Sequence, residues 1–103
     1  EPKTLVRAAR DYVDKEPEFA LGSAMAALRW LCEGWGYEAT SADVLEAYDR
    51  AMDAAAKLDN VDEVAGWVQQ LLDSTESSAT LFVRQSLAVR MDSHHSLVKK
   101  ALV

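Results

Sequence analysis

Residues 17–35 read PEFALGSAMAALRWLCEGW, and this stretch decides the fold. Its larger apolar side chains recur every three or four positions, which is the period of one helix face; they are Leu21, Met25, Leu28, Leu31, Cys32 and Trp35. Ala20, Ala24 and Ala27 widen this face with small side chains, which let a second helix approach closely. The stretch therefore predicts a central helix that begins at Pro17 and ends at Gly34 or Gly36.

Helical periodicity also predicts the other elements of the chain, and no stretch alternates in the manner of a strand. A first helix runs from about Lys3 to Lys15. Thr40 or Ser41 caps a third helix, and Asn60 begins a fourth, with Glu63 placed to complete a capping box. We therefore expect an all-α fold, a compact antiparallel bundle in one domain over residues 1–103. The predicted core consists of Leu28, Leu31, Tyr48, Val64, Val68 and Leu71.

The segment 78–103 differs from the rest of the chain in charge. Residues 1–76 carry sixteen acidic and seven basic side chains, whereas residues 77–103 carry one acidic and four basic side chains. We expect 78–103 to be a basic, amphipathic helical segment that docks on the acidic body, either in its own subunit or in a partner subunit. It forms one long fifth helix, or two helices if the chain breaks at 91–93, which would bring the total to six.

A short pattern in residues 28–51 is similar to one known repeat. Leu28, Leu31, Cys32 and Trp35 stand where a tetratricopeptide (TPR) unit has Trp, Leu, Gly and Tyr, and Val44, Tyr48 and Ala51 occupy three of the positions of its second helix. The segment thus resembles a single TPR-like helical hairpin. A second copy of the pattern does not follow it, and solenoids need about three repeats to bury a continuous core.

Charge and composition exclude several functional classes. The formal net charge of −6 argues against binding to nucleic acid, which needs a basic surface to neutralise phosphates. No apolar run has the length of a membrane span, and the amino end lacks the pattern of a signal peptide. The lone Cys32 cannot form an internal disulfide, and this favours a reducing compartment. We expect a cytoplasmic protein that does not bind membranes.

The sequence predicts no catalytic, cofactor-binding or metal-binding residues. His94 and His95 are adjacent, and neighbouring positions on a helix point about 100° apart, so the pair cannot close on one ion. Cys32 lies on an apolar face, where a free cysteine packs in the core more often than it reacts. Glu33 is the carboxylate expected to be partly buried, in a salt bridge with Arg29. These patterns favour a binding protein over an enzyme.

Two tryptophans lie away from the main apolar stripes of their helices. Trp30 points away from Leu28 on the central helix, and Trp67 is offset from Val64 and Val68 on the fourth helix. Burial that broadens the core is the slightly favoured interpretation, and exposed anchors for a partner are the alternative. The residues predicted for partner binding are Trp30, Trp67, Phe82, Arg84, Arg90, Lys99 and Lys100.

Non-catalytic protein–protein interaction is the function that these features predict, as a docking domain for a protein or peptide partner or as a self-associating, homodimeric regulatory unit. The alternative is a small enzyme or ligand-binding bundle with a pocket between the second and third helices. That pocket would lie near Trp35, Tyr37 and Tyr48.

Overall fold

The computed structural model describes residues 2–34, 39–74 and 77–101, with side chains described as far as Met91. All regular structure in these ranges is helical, which confirms the all-α prediction. Five helices are described: α1 (Pro2–Tyr12), α2 (Pro17–Cys32), α3 (Ser41–Lys57), α4 (Val61–Asp73) and α5 (Ser78–Ala101). The sixth helix is not found, because α5 continues through 91–93 without a break.

Local sequence signals fix the ends of α2 and α3. Pro17 occupies the first turn of α2, and Gly34 follows the helix with a φ of 86°, a left-handed conformation that glycine adopts without strain. Thr40 is the cap of α3, and its hydroxyl accepts a hydrogen bond from the backbone N–H of Asp43. The Asp43 carboxylate accepts from the backbone N–H of Thr40 at 2.8 Å. This reciprocal pair is a complete capping box.

The capping box predicted for α4 is wrong. Asn60 does precede the helix, but its backbone angles of −136° and 38° lie outside the extended region that a cap residue usually adopts. Its side chain makes no capping hydrogen bond, and its Oδ1 is buried without a hydrogen-bond partner in the described structure. Asn60 therefore marks the start of α4 without stabilising it through its side chain.

Alanine substitution should change the free energy of unfolding differently at Thr40 and at Asn60. Thr40→Ala removes a hydrogen bond that is part of a capping box, so the free energy of unfolding should fall by about 1 kcal/mol. Asn60→Ala removes a buried acceptor that has no donor, so stability should stay the same or rise slightly. Urea denaturation of both variants measures the difference. Equal losses for the two would contradict the assignment of the caps.

Small side chains allow α2 and α3 to pack closely. Ala20, Ala24 and Ala27 on α2 are fully buried, and so are Ala47, Ala51, Ala54 and Ala55 on α3. The first half of α2 shares one core cluster with the second half of α3, and the second half of α2 shares another cluster with the first half of α3. The two helices are therefore antiparallel, as predicted from their short connection.

The same two clusters orient α1 and α4. Val6 belongs to the cluster that holds the second half of α2, whereas Ala9 belongs to the cluster that holds the first half, so α1 is antiparallel to α2. Val64 shares a cluster with the second half of α3, and Val68 shares the other cluster with the first half of α3, so α4 is antiparallel to α3. Since α2 and α4 both run antiparallel to α3, they are roughly parallel to each other.

The predicted core is confirmed for five of its six residues. Buried side chains include Leu28, Leu31, Tyr48, Val64 and Val68. Leu71 is only partly buried and packs against the edge of the core. On α4 the fully buried position is Leu72 instead, one residue further along the helix.

The first part of α5 closes the core and caps two other helices. Val83 and Leu87 are buried within the main core cluster. The Thr80 hydroxyl donates to the carbonyl of Cys32 at the end of α2, at 3.2 Å. The Arg84 guanidinium donates to the carbonyl of Leu72 near the end of α4, at 2.6 Å. Carbonyls at the end of a helix have no partner within it, so α5 satisfies one on α2 and one on α4.

Basic side chains of α5 face acidic side chains of the body in the same subunit. Arg84 lies 3.7 Å from the carboxylate of Asp73, and Arg90 lies 3.1 Å from that of Asp49. Both ion pairs are about half exposed, so each contributes at most about 1 kcal/mol. The charges orient α5, and burial of Val83 and Leu87 supplies most of the energy that holds it.

Candidate functional site

A solvent-open groove runs between α2 and α4 on the surface of the bundle. Its volume is about 900 Å³. The α2 side consists of Glu18, Leu21, Gly22, Met25 and Arg29, and the α4 side consists of Trp67, Gln70, Leu71 and Ser74, with Leu58 and Asn60 closing the space at one end. We call this surface the α2/α4 groove. Its lining includes Trp67, a large aromatic side chain that is exposed.

Helical spacing places these residues on facing sides of the two helices. Leu21, Met25 and Arg29 recur every four positions along α2, and Trp67, Leu71 and Ser74 recur at intervals of four and three along α4. A Cβ atom built at Gly22 would meet no atom within 4 Å, so the glycine leaves open space beside Leu21 and Met25. The groove thus has an apolar lining between its two polar ends.

Trp67 is the most accessible of the large apolar side chains that line the groove. It is 40% exposed, although it belongs to a helix whose Val64, Val68 and Leu72 are fully buried. Trp67 lies about 100° from Val68 around the helix, so its ring leaves the core face and reaches the groove. An aromatic side chain beside partly buried Leu71 and Met25 offers a contact surface of the kind that is enriched in protein interfaces.

Opposite charges mark the two ends of the groove. Glu18 lies in the first turn of α2 and Arg29 in its last turn. Neither side chain forms an ion pair with another residue in the described part of the chain. Because α2 and α4 are roughly parallel, the positive ends of both helix dipoles lie at the Glu18 end, and the negative ends lie near Arg29.

The structure places the seven predicted partner-binding residues in different surroundings. Of the five whose side chains are described, only Trp67 lines the groove. Trp30 is 39% exposed and is not among the groove residues, and Phe82 is 36% exposed on α5, near the exposed Leu81 and Val89. Arg84 and Arg90 form the ion pairs with the body, and the side chains of Lys99 and Lys100 lie outside the described residues.

Burial in the core was the slightly favoured interpretation for both tryptophans, and the structure corrects it. Trp30 is about 200° from Leu28 around α2, so it points away from α3 and the centre of the bundle. Trp67 borders the groove and does not occupy a core position. Both tryptophans are about two-fifths exposed.

The alternative pocket is only partly within the described structure. Trp35 and Tyr37 lie outside the described residues. Tyr48 is 4% exposed and belongs to the main core cluster. Burial raises the pKa of the Tyr48 phenol above its ordinary value, and the neighbouring Asp49 carboxylate adds to the rise. The Tyr48 side chain therefore packs in the core, and the rise in its pKa disfavours the phenolate.

Two other side chains with reactive groups, Cys32 and Glu33, lie at the carboxyl end of α2. Cys32 is buried, as predicted, and burial raises the pKa of its thiol, which opposes formation of a nucleophilic thiolate. Glu33 is exposed and forms no ion pair with Arg29 in the described structure, so both parts of its predicted environment are wrong. It follows α2 as its C-terminal cap residue.

Metal ligands do not gather in the described part of the chain, where no group of three or more His, Cys, Asp or Glu side chains is placed to hold an ion. The side chains of His94 and His95 lie outside the described residues. Among the described helices, none combines the length and apolar character needed to cross a bilayer.

No protein-family profile, curated protein or solved structure matches this chain. The likeness of residues 28–51 to a TPR unit is therefore not supported by any relationship to that family. Leu28, Leu31, Cys32, Val44, Tyr48 and Ala51 are all buried, which any packed helical hairpin would require.

Among the residues that line the groove, the sequence pattern singles out only Trp67 as a candidate for partner binding. Leu21 and Met25 were assigned to the apolar stripe of α2, and that stripe is wider than the surface which α3 covers. The positions of Arg29 and Glu18 in the sequence could have assigned them to the groove, since they share the helix face of Met25 at intervals of four and seven.

Proposed function

We propose that this domain is a non-catalytic protein-binding module that docks a helical segment of a partner protein in the α2/α4 groove. Trp67 carries the proposal, since a 40% exposed tryptophan lies beside an open, apolar-lined concave surface. Tryptophan is among the residues that most often supply a large share of binding energy at protein interfaces.

The shape of the groove favours a helix over a small molecule. Small-molecule sites bury about 70–90% of their ligand, whereas this groove is open to solvent along one side. From Glu18 to Arg29 the α2 side is roughly 16 Å long, which matches about three turns of helix. An amphipathic helix can place one apolar face against Met25, Trp67 and Leu71 while its polar face stays in water.

Substitution of Trp67 tests the proposal, with Trp30 as a matched control. The two rings are almost equally exposed, at 40% and 39%, but only Trp67 lines the groove. A phage-displayed library of amphipathic helices about 13 residues long supplies the probes. Peptides selected on the parent protein should lose at least about thirtyfold in affinity for Trp67→Ala and about twofold or less for Trp30→Ala.

Fluorescence anisotropy of the labelled peptides gives the affinities, and thermal melting checks that both variants remain folded. Selected peptides that lose affinity equally for the two variants would place binding elsewhere. A library that yields no binder to the parent protein would contradict the docking function itself. Self-association through other surfaces stays a prediction, which light scattering at several concentrations tests.

A further inference from the structure

We infer that the α2/α4 groove prefers a partner helix that runs antiparallel to α2 and α4, with acidic residues in the first turn of that helix and basic residues in its last turn. The inference rests on the proposed function and specifies the partner. It follows from the opposite charges at the groove ends and from the common direction of the two flanking helices.

Arg29 places a positive charge at the end of the groove beside the last turn of α2. Its guanidinium borders the groove at the last turn of α2 and forms no ion pair with another described residue. A carboxylate on the partner can therefore pair with Arg29 without displacing an ion pair to any side chain that the structure describes. Glu33 lies one turn further along α2, beyond the groove lining, and its negative charge limits the size of this effect.

The opposite end is acidic. Glu18 borders the groove, and Glu63 lies in the first turn of α4 at the same end of the bundle. A Lys or Arg on the partner brings N–H donors and positive charge to this end, where the exposed carboxylates of Glu18 and Glu63 can accept.

The dipoles of the helices favour the same direction. A partner helix antiparallel to α2 and α4 places its positive amino end beside the negative carboxyl ends of both. Acidic residues are also most favourable in the first turn of a helix and basic residues in its last turn. The charges that suit the groove therefore also stabilise the partner helix itself.

Intrinsic helix stability would favour acid-first peptides on any surface, so the test needs a protein with the groove charges exchanged. Two peptides share one apolar face and one net charge. The acid-first peptide has Glu in its first turn and Lys in its last, and the base-first peptide has the reverse. Both are measured by fluorescence anisotropy on the parent protein and on the Glu18→Lys, Arg29→Glu double variant, with Trp67→Ala as the control for the site.

The parent should bind the acid-first peptide about three- to tenfold more tightly, as expected for two exposed ion pairs, and 0.5 M salt should reduce the preference. The charge-exchanged protein should prefer the base-first peptide. Equal affinities of the two peptides, or an acid-first preference that persists in the charge-exchanged protein, would overturn the inferred direction of the partner helix. The docking function would still stand if binding of the peptides depends on Trp67. Absence of Trp67-dependent binding by either peptide would overturn both.

Discussion

A chain that ends at Glu76 is expected to lose cooperative thermal unfolding. Without α5 it lacks Val83 and Leu87, which are 1% and 0% exposed in the main core cluster. It also lacks the hydrogen bonds from Thr80 and Arg84 to the ends of α2 and α4. Two buried aliphatic side chains and two hydrogen bonds contribute about 5–8 kcal/mol, which is comparable to the whole stability of a typical domain.

Circular dichroism melting and binding of a hydrophobic dye measure this effect. A pair of full-length variants separates loss of the core contact from loss of chain length. Val83→Asp buries a charge and should reproduce the loss of cooperative melting, whereas Val89→Asp changes a side chain that is 77% exposed and should melt like the parent. A truncated protein with the melting temperature and solubility of the parent would show that α5 does not complete the core.

Leu31→Ala is expected to lower the free energy of unfolding by about 2–5 kcal/mol, as a large-to-small change in a packed core. Leu31 is 5% exposed and belongs to the main core cluster, where side chains from α1, α2, α3, α4 and α5 meet. Close packing around these elements limits how far the cavity can collapse. The corresponding fall in melting temperature is about 10–20 °C for a domain of this size.

Leu81→Ala serves as the matched control because it removes the same atoms from a side chain that is 51% exposed. Its effect should stay within about 1 kcal/mol. Urea denaturation gives both free energies. If Leu31→Ala and Leu81→Ala cost the same, the assignment of Leu31 to the core is wrong.

The periodicity of the sequence predicted the helices because each helix has a wide apolar face and a clear start or end. Pro17 and Thr40 begin α2 and α3 where their chemistry predicts, and Gly34 follows the end of α2. Asn60 shows the limit of such signals. Its residue type suits a cap, but its backbone angles keep the side chain from the orphan N–H groups of α4.

The groove was harder to predict because it depends on a gap between two helices that are not consecutive. Periodicity assigns Met25 and Leu71 to apolar stripes, but it does not state how much of each stripe another helix covers. Trp67 was recognised because it is offset from the stripe of its own helix. The opposite charges of Glu18 and Arg29 acquire significance only once α2 and α4 are known to run in the same direction.

The hydrogen bonds of α5 to Cys32 and Leu72 have a thermodynamic consequence. They fix the carboxyl ends of the two helices that form the sides of the groove, so occupancy of the groove and attachment of α5 act on the same pair of helices. A free-energy coupling between two such events is equal in both directions. If groove occupancy favours the attached state of α5, a bound partner helix slows backbone hydrogen exchange in α5, and detachment of α5 weakens binding of the partner by the same free energy.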